Sequence, residues 1–225
     1  MVAVPEEKAI PLPIDFPFKL AASILLQGLT AHYLTRDSYK VMQGDVVLVH
    51  AVAGGVGQLI TQICKLMGAT VIGLTSSNEK RSAALSVGAD YVFLYGESWV
   101  RNVLQLTNEK GVDVVYESVG STLEESFQAL RKRGTLVFFG MSGGDPVLVN
   151  PRMLMDTSKT ITGGDLWNVL TSREERIERS NELFKWISSG KINVHPQALY
   201  SLKDGAEAHA FLESRKSTGK ILLLP

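Results

Sequence analysis

Three glycines, Gly54, Gly55 and Gly57, follow the apolar run Val46-Val-Leu-Val-His-Ala51 and open a helical pattern. Strand, tight turn and helix start in that order make an anion site. The first N–H groups of a helix are unpaired and carry a partial positive charge. Glycine also removes the Cβ atoms that would hold a diphosphate away from the backbone. Helical spacing continues through Val56, Leu59 or Ile60, Ile63 and Met67 and closes at Gly68. The segment reads as a dinucleotide-binding turn, although Val52 stands where the common G-x-G-x-x-G pattern has its first glycine.

In such a turn the end of the second strand selects the cofactor. An acid there binds the 2′-hydroxyl of NAD, whereas small and basic residues admit the 2′-phosphate of NADP. Here Thr75, Ser76 and Ser77 are small, Lys80 and Arg81 lie one helical turn on, and Glu79 falls past the usual acidic position. This predicts NADP. The segments Tyr116-Glu-Ser-Val-Gly120 and Phe138-Phe-Gly-Met-Ser-Gly-Gly144 end two further strands, at the edge where open sheets bind ligands. The four histidines, His32, His50, His195 and His209, do not cluster and read as structural. Arg131-Lys-Arg133 reads as a solvated cap at a helix end, where cations suit the macrodipole.

These residues need a scaffold, and the periodicity supplies one. Strands are expected at 46–51, 70–75, 91–95, 112–117, 135–139 and 160–162, with helices at 55–67, 78–87, 97–107 and 121–131. Gly68, Gly88, Gly111 and Gly134 fall where C-terminal caps belong, and Thr122 with Glu125 has capping-box spacing. Near-continuous apolar strands between amphipathic helices imply a parallel sheet covered on both faces. A helix is expected over 18–34, preceded by a Pro-rich lead-in with a strand near Val2–Val4. After Gly164 the rhythm changes: a helix from Ser172 to Ile187, an extended piece near 198–200, a helix over 204–214 and a last strand at 220–224. That tail reads as part of a second domain.

Composition bounds the partners. The 225 residues balance 23 Lys and Arg against 23 Asp and Glu, so no net field draws nucleic acid or an anionic membrane. The one cysteine, Cys64, excludes an internal disulfide within this chain and reads as buried packing. Neither a secretory leader nor a membrane span is visible, so a cytoplasmic location is the default.

With HAVAGGVG, VVYESVG, LVFFGMSGG, SNELFKWISSG and ESRKSTGKILLLP in order, the chain closely resembles quinone oxidoreductases, the zinc-independent, zeta-crystallin-like branch of the medium-chain dehydrogenases/reductases. That family's turn is A-x-x-G-x-x-G, matched by Ala51, Gly54 and Gly57, so Val52 is no departure. The resemblance implies a Rossmann sheet of order 3-2-1-4-5-6, NADPH as cofactor, a quinone or related enone as acceptor, and homodimers. By motif match Gly55 and Val56 contact the pyrophosphate, beside Gly54 and Gly57. Ser76, Lys80 and Tyr95 match positions around the 2′-phosphate, and Ser118, Phe139, Gly140 and Ser142 positions on the nicotinamide side. Arg215 matches the tail residue that reaches back to the cofactor, while Met141 replaces a residue that is often polar. Zinc-dependent relatives carry a cysteine ligand near Leu26 and Gln27, which argues against a catalytic zinc here.

The resemblance also divides the chain. Residues 1–40 are expected to be a lead-in strand and helix from the catalytic-domain boundary, 41–165 the NADP-binding domain, and 166–225 a segment packing with the catalytic domain. Most of the GroES-like domain that walls the cleft has no counterpart, so only remnant pieces of it are expected. No acid or base is assigned. The expected activity is hydride transfer from NADPH, with a non-catalytic NADPH-binding or dimerisation module as the alternative.

Overall fold

The computed structural model describes residues 3–225. Six strands, β1 (Val46–Val49), β2 (Thr70–Thr75), β3 (Tyr91–Leu94), β4 (Val112–Glu117), β5 (Leu130–Phe138) and β6 (Thr160–Gly163), form one parallel sheet in the order β3-β2-β1-β4-β5-β6. This is the expected doubly wound order, with its reversal between β1 and β4. The helices are α1 (Phe18–Tyr33), α2 (Gly55–Leu66), α3 (Asn78–Ser86), α4 (Trp99–Leu106), α5 (Leu123–Ala129), α6 (Pro151–Thr157), α7 (Leu166–Val169), α8 (Arg173–Ser188) and α9 (Gly205–Glu213). They cover both faces and bury two clusters, one around Val47, Val49, Ile60, Ile63 and Tyr116, the other around Leu48, Leu74, Val115 and Leu136. Successive β1 residues feed opposite clusters, as a strand buried on both faces must.

The tail forms a separate two-stranded parallel sheet from β7 (Ala198–Ser201) and β8 (Ile221–Leu224). It is tied to α2 by Gln62, whose Oε1 accepts from Asn193 N at 2.7 Å and whose Nε2 donates to Asn193 O at 3.1 Å. On α1, Gly28 lets Leu183 of α8 approach, so that a Cβ would lie 3.1 Å from Leu183 Cδ1. The small residues of α1 therefore do mark close packing.

Several expectations need correction. Ala3 and Val4 are not in a strand; Glu6–Lys8 form a 3-10 turn instead, and Val2 lies outside the described residues. Helix α5 stops at Ala129, so Arg131-Lys-Arg133 lies within β5 and not at a helix end. The register shifts there, Arg133 takes φ +61°, and Arg131 Nε donates to Asp113 at 2.6 Å. Gly134 is consequently no cap, whereas Gly68, Gly88 and Gly111 do adopt positive φ. Helices α6 and α7 were not anticipated. Asn150 caps α6 by accepting from Arg152 N at 2.9 Å, with Pro151 at its first position. That Asn-Pro pair was the available signal.

Val52 acquires a physical reason. It is fully buried, and its side chain fills the space a Cβ would need at Gly73 of β2, 2.6 Å from Val52 Cγ1. The bulk absent from β2 is present in the turn. Gly73→Ala should therefore cost about 1–3 kcal/mol in urea unfolding, by overpacking. Adding Val52→Ala should return part of that loss, and strict additivity of the two changes would refute the exchange.

Candidate cofactor site

The turn after β1 is built on Ala51, a non-glycine residue at φ +46°. Its carbonyl accepts from Gly54 N at 2.8 Å, which brings the chain round to start α2 at Gly55. Gly54 is the N-cap and supplies no side-chain acceptor, so the first N–H groups of α2, from Gly55 through Gly57, remain unpaired within the helix. The glycines, however, are not all there to clear space for a ligand. A Cβ on Gly57 would meet Ala51 O at 2.5 Å and Val52 Cα at 2.8 Å, and one on Gly55 would strike the Gln27 amide. Both answer to protein packing. Val56 is half-buried against the core.

Beneath the turn lies a buried polar cluster that the sequence reading passed over. His50, Glu117 and Ser126 are inaccessible to solvent. Tyr95 Oη accepts from Ala51 N at 2.9 Å and lies 3.3 Å from His50 Nδ1. Ser126 Oγ lies 2.9 Å from His50 Nε2 and donates to Glu117 Oε2. Glu117 also accepts from Val119 N at 2.7 Å, Gly120 N at 3.2 Å and Thr122 Oγ1 at 2.9 Å. Thr122 is thus the N-cap of α5 in position only; its hydroxyl serves the carboxylate instead of the expected capping box. Burial pushes His50 below the ordinary histidine range, opposed by the charge of Glu117. The Tyr95 hydroxyl is thus engaged under the turn by Ala51 N and His50.

Along the same edge, residues far apart in sequence meet. Lys80 Nζ donates to Arg215 O at 2.6 Å, and Arg215 Nη2 to Ser142 O at 3.2 Å. Ser142 in turn donates to Ser118 O from both its N and its Oγ, each at 3.0 Å. Phe139 N donates to Glu117 O at 2.9 Å, and a Cβ on Gly140 would lie 3.2 Å from Ser118 O. Lys80, Arg215, Ser142 and Ser118 thus form one chain of contacts, with Phe139 and Gly140 beside it. Ser76 is exposed at the end of β2 and makes no side-chain bond to this chain among the described residues. Partial burial, and then the neighbouring Arg215 charge, pull Lys80 below the ordinary lysine range. Met141 is exposed.

The other singled-out groups are structural. His32 bonds Glu182 of α8 at 2.6 Å, and Cys64 is buried, its thiol pushed up by desolvation. Among the described residues no group of three or more His, Cys, Asp and Glu is placed to hold a metal ion. Among the described residues no helix is long and apolar enough to cross a membrane.

A parallel sheet of order 3-2-1-4-5-6, with a glycine turn feeding α2 and loops after β4 and β5 at its carboxyl edge, is the dinucleotide-binding architecture of dehydrogenases and reductases. The family model described as zinc-binding dehydrogenase matches residues 55–185. Quinone oxidoreductase 1 of Escherichia coli is 42% identical over 224 residues, which is 97% of this chain and 68% of that protein. The 2-haloacrylate reductase of a Burkholderia species is 36% identical over 227 residues, 98% of this chain and 68% of that protein. The crystal structure of Escherichia coli quinone oxidoreductase complexed with NADPH superposes with a TM-score of 0.90 at 42% identity, over 95% of this chain and 67% of that one. The chain belongs to the quinone oxidoreductase family of the medium-chain dehydrogenases/reductases, and spans about two thirds of the length of these relatives. It is a family of oxidoreductases that uses NADPH.

The buried histidine carries a pH dependence. Its folded-state pKa is depressed to about 4, so between the unfolded value of about 6.5 and that value the unfolded chain takes up the proton and the folded chain does not. Stability should be full above the unfolded value and fall as the solution is acidified through it. Urea midpoints at about pH 7.5 and about pH 5 should show the loss, and His50→Gln should lessen it. An unchanged difference in the variant would exclude His50 as its source.

Proposed function

We propose that the chain binds NADPH along the carboxyl edge of the sheet and orients it for reduction of a quinone or a related enone. One observation carries this reading: Lys80 and Arg215, 135 positions apart, meet at that edge and bond there to backbone carbonyls. No acid stands at the end of β2 to compete for them, since Thr75, Ser76 and Ser77 occupy it. In this reading Ser76, Lys80 and Arg215 hold the 2′-phosphate, and Gly55, Val56 and Gly57 offer N–H groups to the pyrophosphate at the turn that Gly54 shapes, its own N–H being held by Ala51 O. Ser118, Phe139, Gly140 and Ser142 border the nicotinamide. Tyr95 belongs to the site through the turn it supports.

The residues present fit such a ligand, because the start of α2 has no side-chain cap and, like the start of α3 that carries Lys80, it follows a strand at the carboxyl edge of the parallel sheet. When bound, NADPH supplies the hydride, and the protein supplies binding, orientation and exclusion of water. Negative charge develops on the acceptor oxygen, which calls for donors facing it. The proposal takes residues 41–165 as the cofactor domain, 1–40 as the boundary of the catalytic domain and 166–225 as the segment that packs with it. It includes a cytoplasmic location, in keeping with a single buried cysteine, and a homodimer, in keeping with β6 pairing only with β5 among the described residues.

Lys80→Ala should raise the dissociation constant for NADPH about tenfold or more while leaving that for NADH unchanged. Equal effects on both would remove the assignment of Lys80. Oxidation of NADPH by an ortho-quinone, measured against an acceptor-free blank, tests the reaction itself. Binding without turnover would restrict this chain to the cofactor-holding role.

A further inference from the structure

The buried cluster behind the turn takes no part in holding the cofactor in the reading above, yet its hydrogens can be followed from end to end. Thr122 and Ser126 each have one hydroxyl hydrogen, and both are directed to the Glu117 carboxylate. Ser126 Oγ can then only accept from His50, 2.9 Å away, so the imidazole carries its hydrogen on Nε2. His50 Nδ1 is left as an acceptor and takes the hydroxyl hydrogen of Tyr95 at 3.3 Å. Tyr95 Oη is thereby free to accept from Ala51 N at 2.9 Å. The order runs one way, from the backbone of the turn to a buried carboxylate, and two longer contacts, Thr122 Oγ1 to His50 Nδ1 at 3.3 Å and His50 Nε2 to Glu117 Oε2 at 3.2 Å, cross-link it.

The end of that chain is the residue that needs holding. Ala51 is left-handed without being glycine, a conformation that costs energy unless its surroundings impose it. Its N–H is fixed by Tyr95 and its carbonyl by Gly54 N, and that carbonyl sits against Gly57 at the start of α2. Rotation of this peptide would therefore re-aim the first N–H groups of α2. The same Glu117 carboxylate holds Val119 N and Gly120 N, flanking Ser118 on the nicotinamide side.

We infer that Glu117, Ser126, His50 and Tyr95 are positioning residues which, acting through Ala51, set the turn for the pyrophosphate without touching the ligand. The inference rests on the NADPH reading. The structure distinguishes it from a direct contact, because Ser126 is fully buried and can influence a ligand only through its neighbours.

The test is titration of the unaltered chain and of Ser126→Ala with NADPH and with 2′-AMP, which carries the adenosine 2′-phosphate but no pyrophosphate. Ser126→Ala should weaken NADPH about tenfold, the worth of one well-made hydrogen bond, and change 2′-AMP by less than about twofold. Tyr95→Phe, which keeps the ring and loses only the hydroxyl, should do the same, and it decides the matter if Ser126→Ala does not fold. Equal loss of both ligands would mean general damage or a direct 2′-phosphate contact, and unchanged NADPH binding would mean no positioning; either result overturns the inference. Failure of the unaltered chain to bind NADPH would overturn the cofactor reading and this inference with it.

Discussion

A carboxylate with no access to water constrains much of the carboxyl edge. Burying an ionised group is costly unless hydrogen bonds replace its hydration. Glu117 receives them from Val119 N, Gly120 N, Thr122 and Ser126, which are supplied by the loop after β4 and the first turns of α5. Meeting that demand fixes where α5 begins, takes Thr122 away from capping, and draws Gly120 into a left-handed conformation at φ +89°. It also leaves His50 neutral beside the acid, because a second buried charge would need partners of its own. The loops bordering the site are thus ordered from below by a group that never reaches it.

The second constraint is steric and acts on the other side of β1. Val52 lies in the space opened by Gly73, so the turn after β1 is seated on β2 as well as on the polar cluster. Val52 N donates to Leu74 O at 3.0 Å and His50 N to Tyr116 O at 3.1 Å, which ties this short connection to both neighbouring strands. A turn held by backbone bonds on two sides, a buried valine and a tyrosine hydroxyl has little freedom to rearrange. This is the form of preorganisation that spares a binding site the cost of ordering it on contact with ligand.

What could be read from the sequence follows from how local each feature is. Apolar runs and helical spacing located the six strands of the sheet and the helices α2 to α5, most of their ends to within a few residues, because burial on both faces writes itself into consecutive positions. The meeting of Lys80 with Arg215 was not expected: the family resemblance had Arg215 reach back to the cofactor, and nothing in either segment encodes the other. The Asn150-Pro151 start of α6 was legible and overlooked. The destination of a hydroxyl hydrogen was not legible: Thr122-x-x-Glu125 has the spacing of a capping box, and only the buried acid five residues earlier reveals why it is not one. Arg131 is a similar case. Three basic residues after a helix look like a cap until the register shift in β5 and the partner Asp113 on β4 are known.

The charges complete the argument. The chain is neutral overall, so no global field steers an anion to it. Several of its cations are cancelled locally: Lys65 by Asp90, Arg81 by Glu97, Arg131 by Asp113 and Arg179 by Asp37 and Glu175. Lys80 and Arg215, like Lys159 and Arg176, bond to carbonyl oxygens and among the described residues pair with no carboxylate; what sets the two apart is that they meet each other. A carbonyl orients a cation without neutralising it. Two positive charges are therefore kept in place and uncompensated at the one edge of the sheet where α2 adds the positive end of its dipole. In the NADPH reading, a preference of that edge for anions would come from these two charges and the start of α2, since the net charge of the chain supplies none.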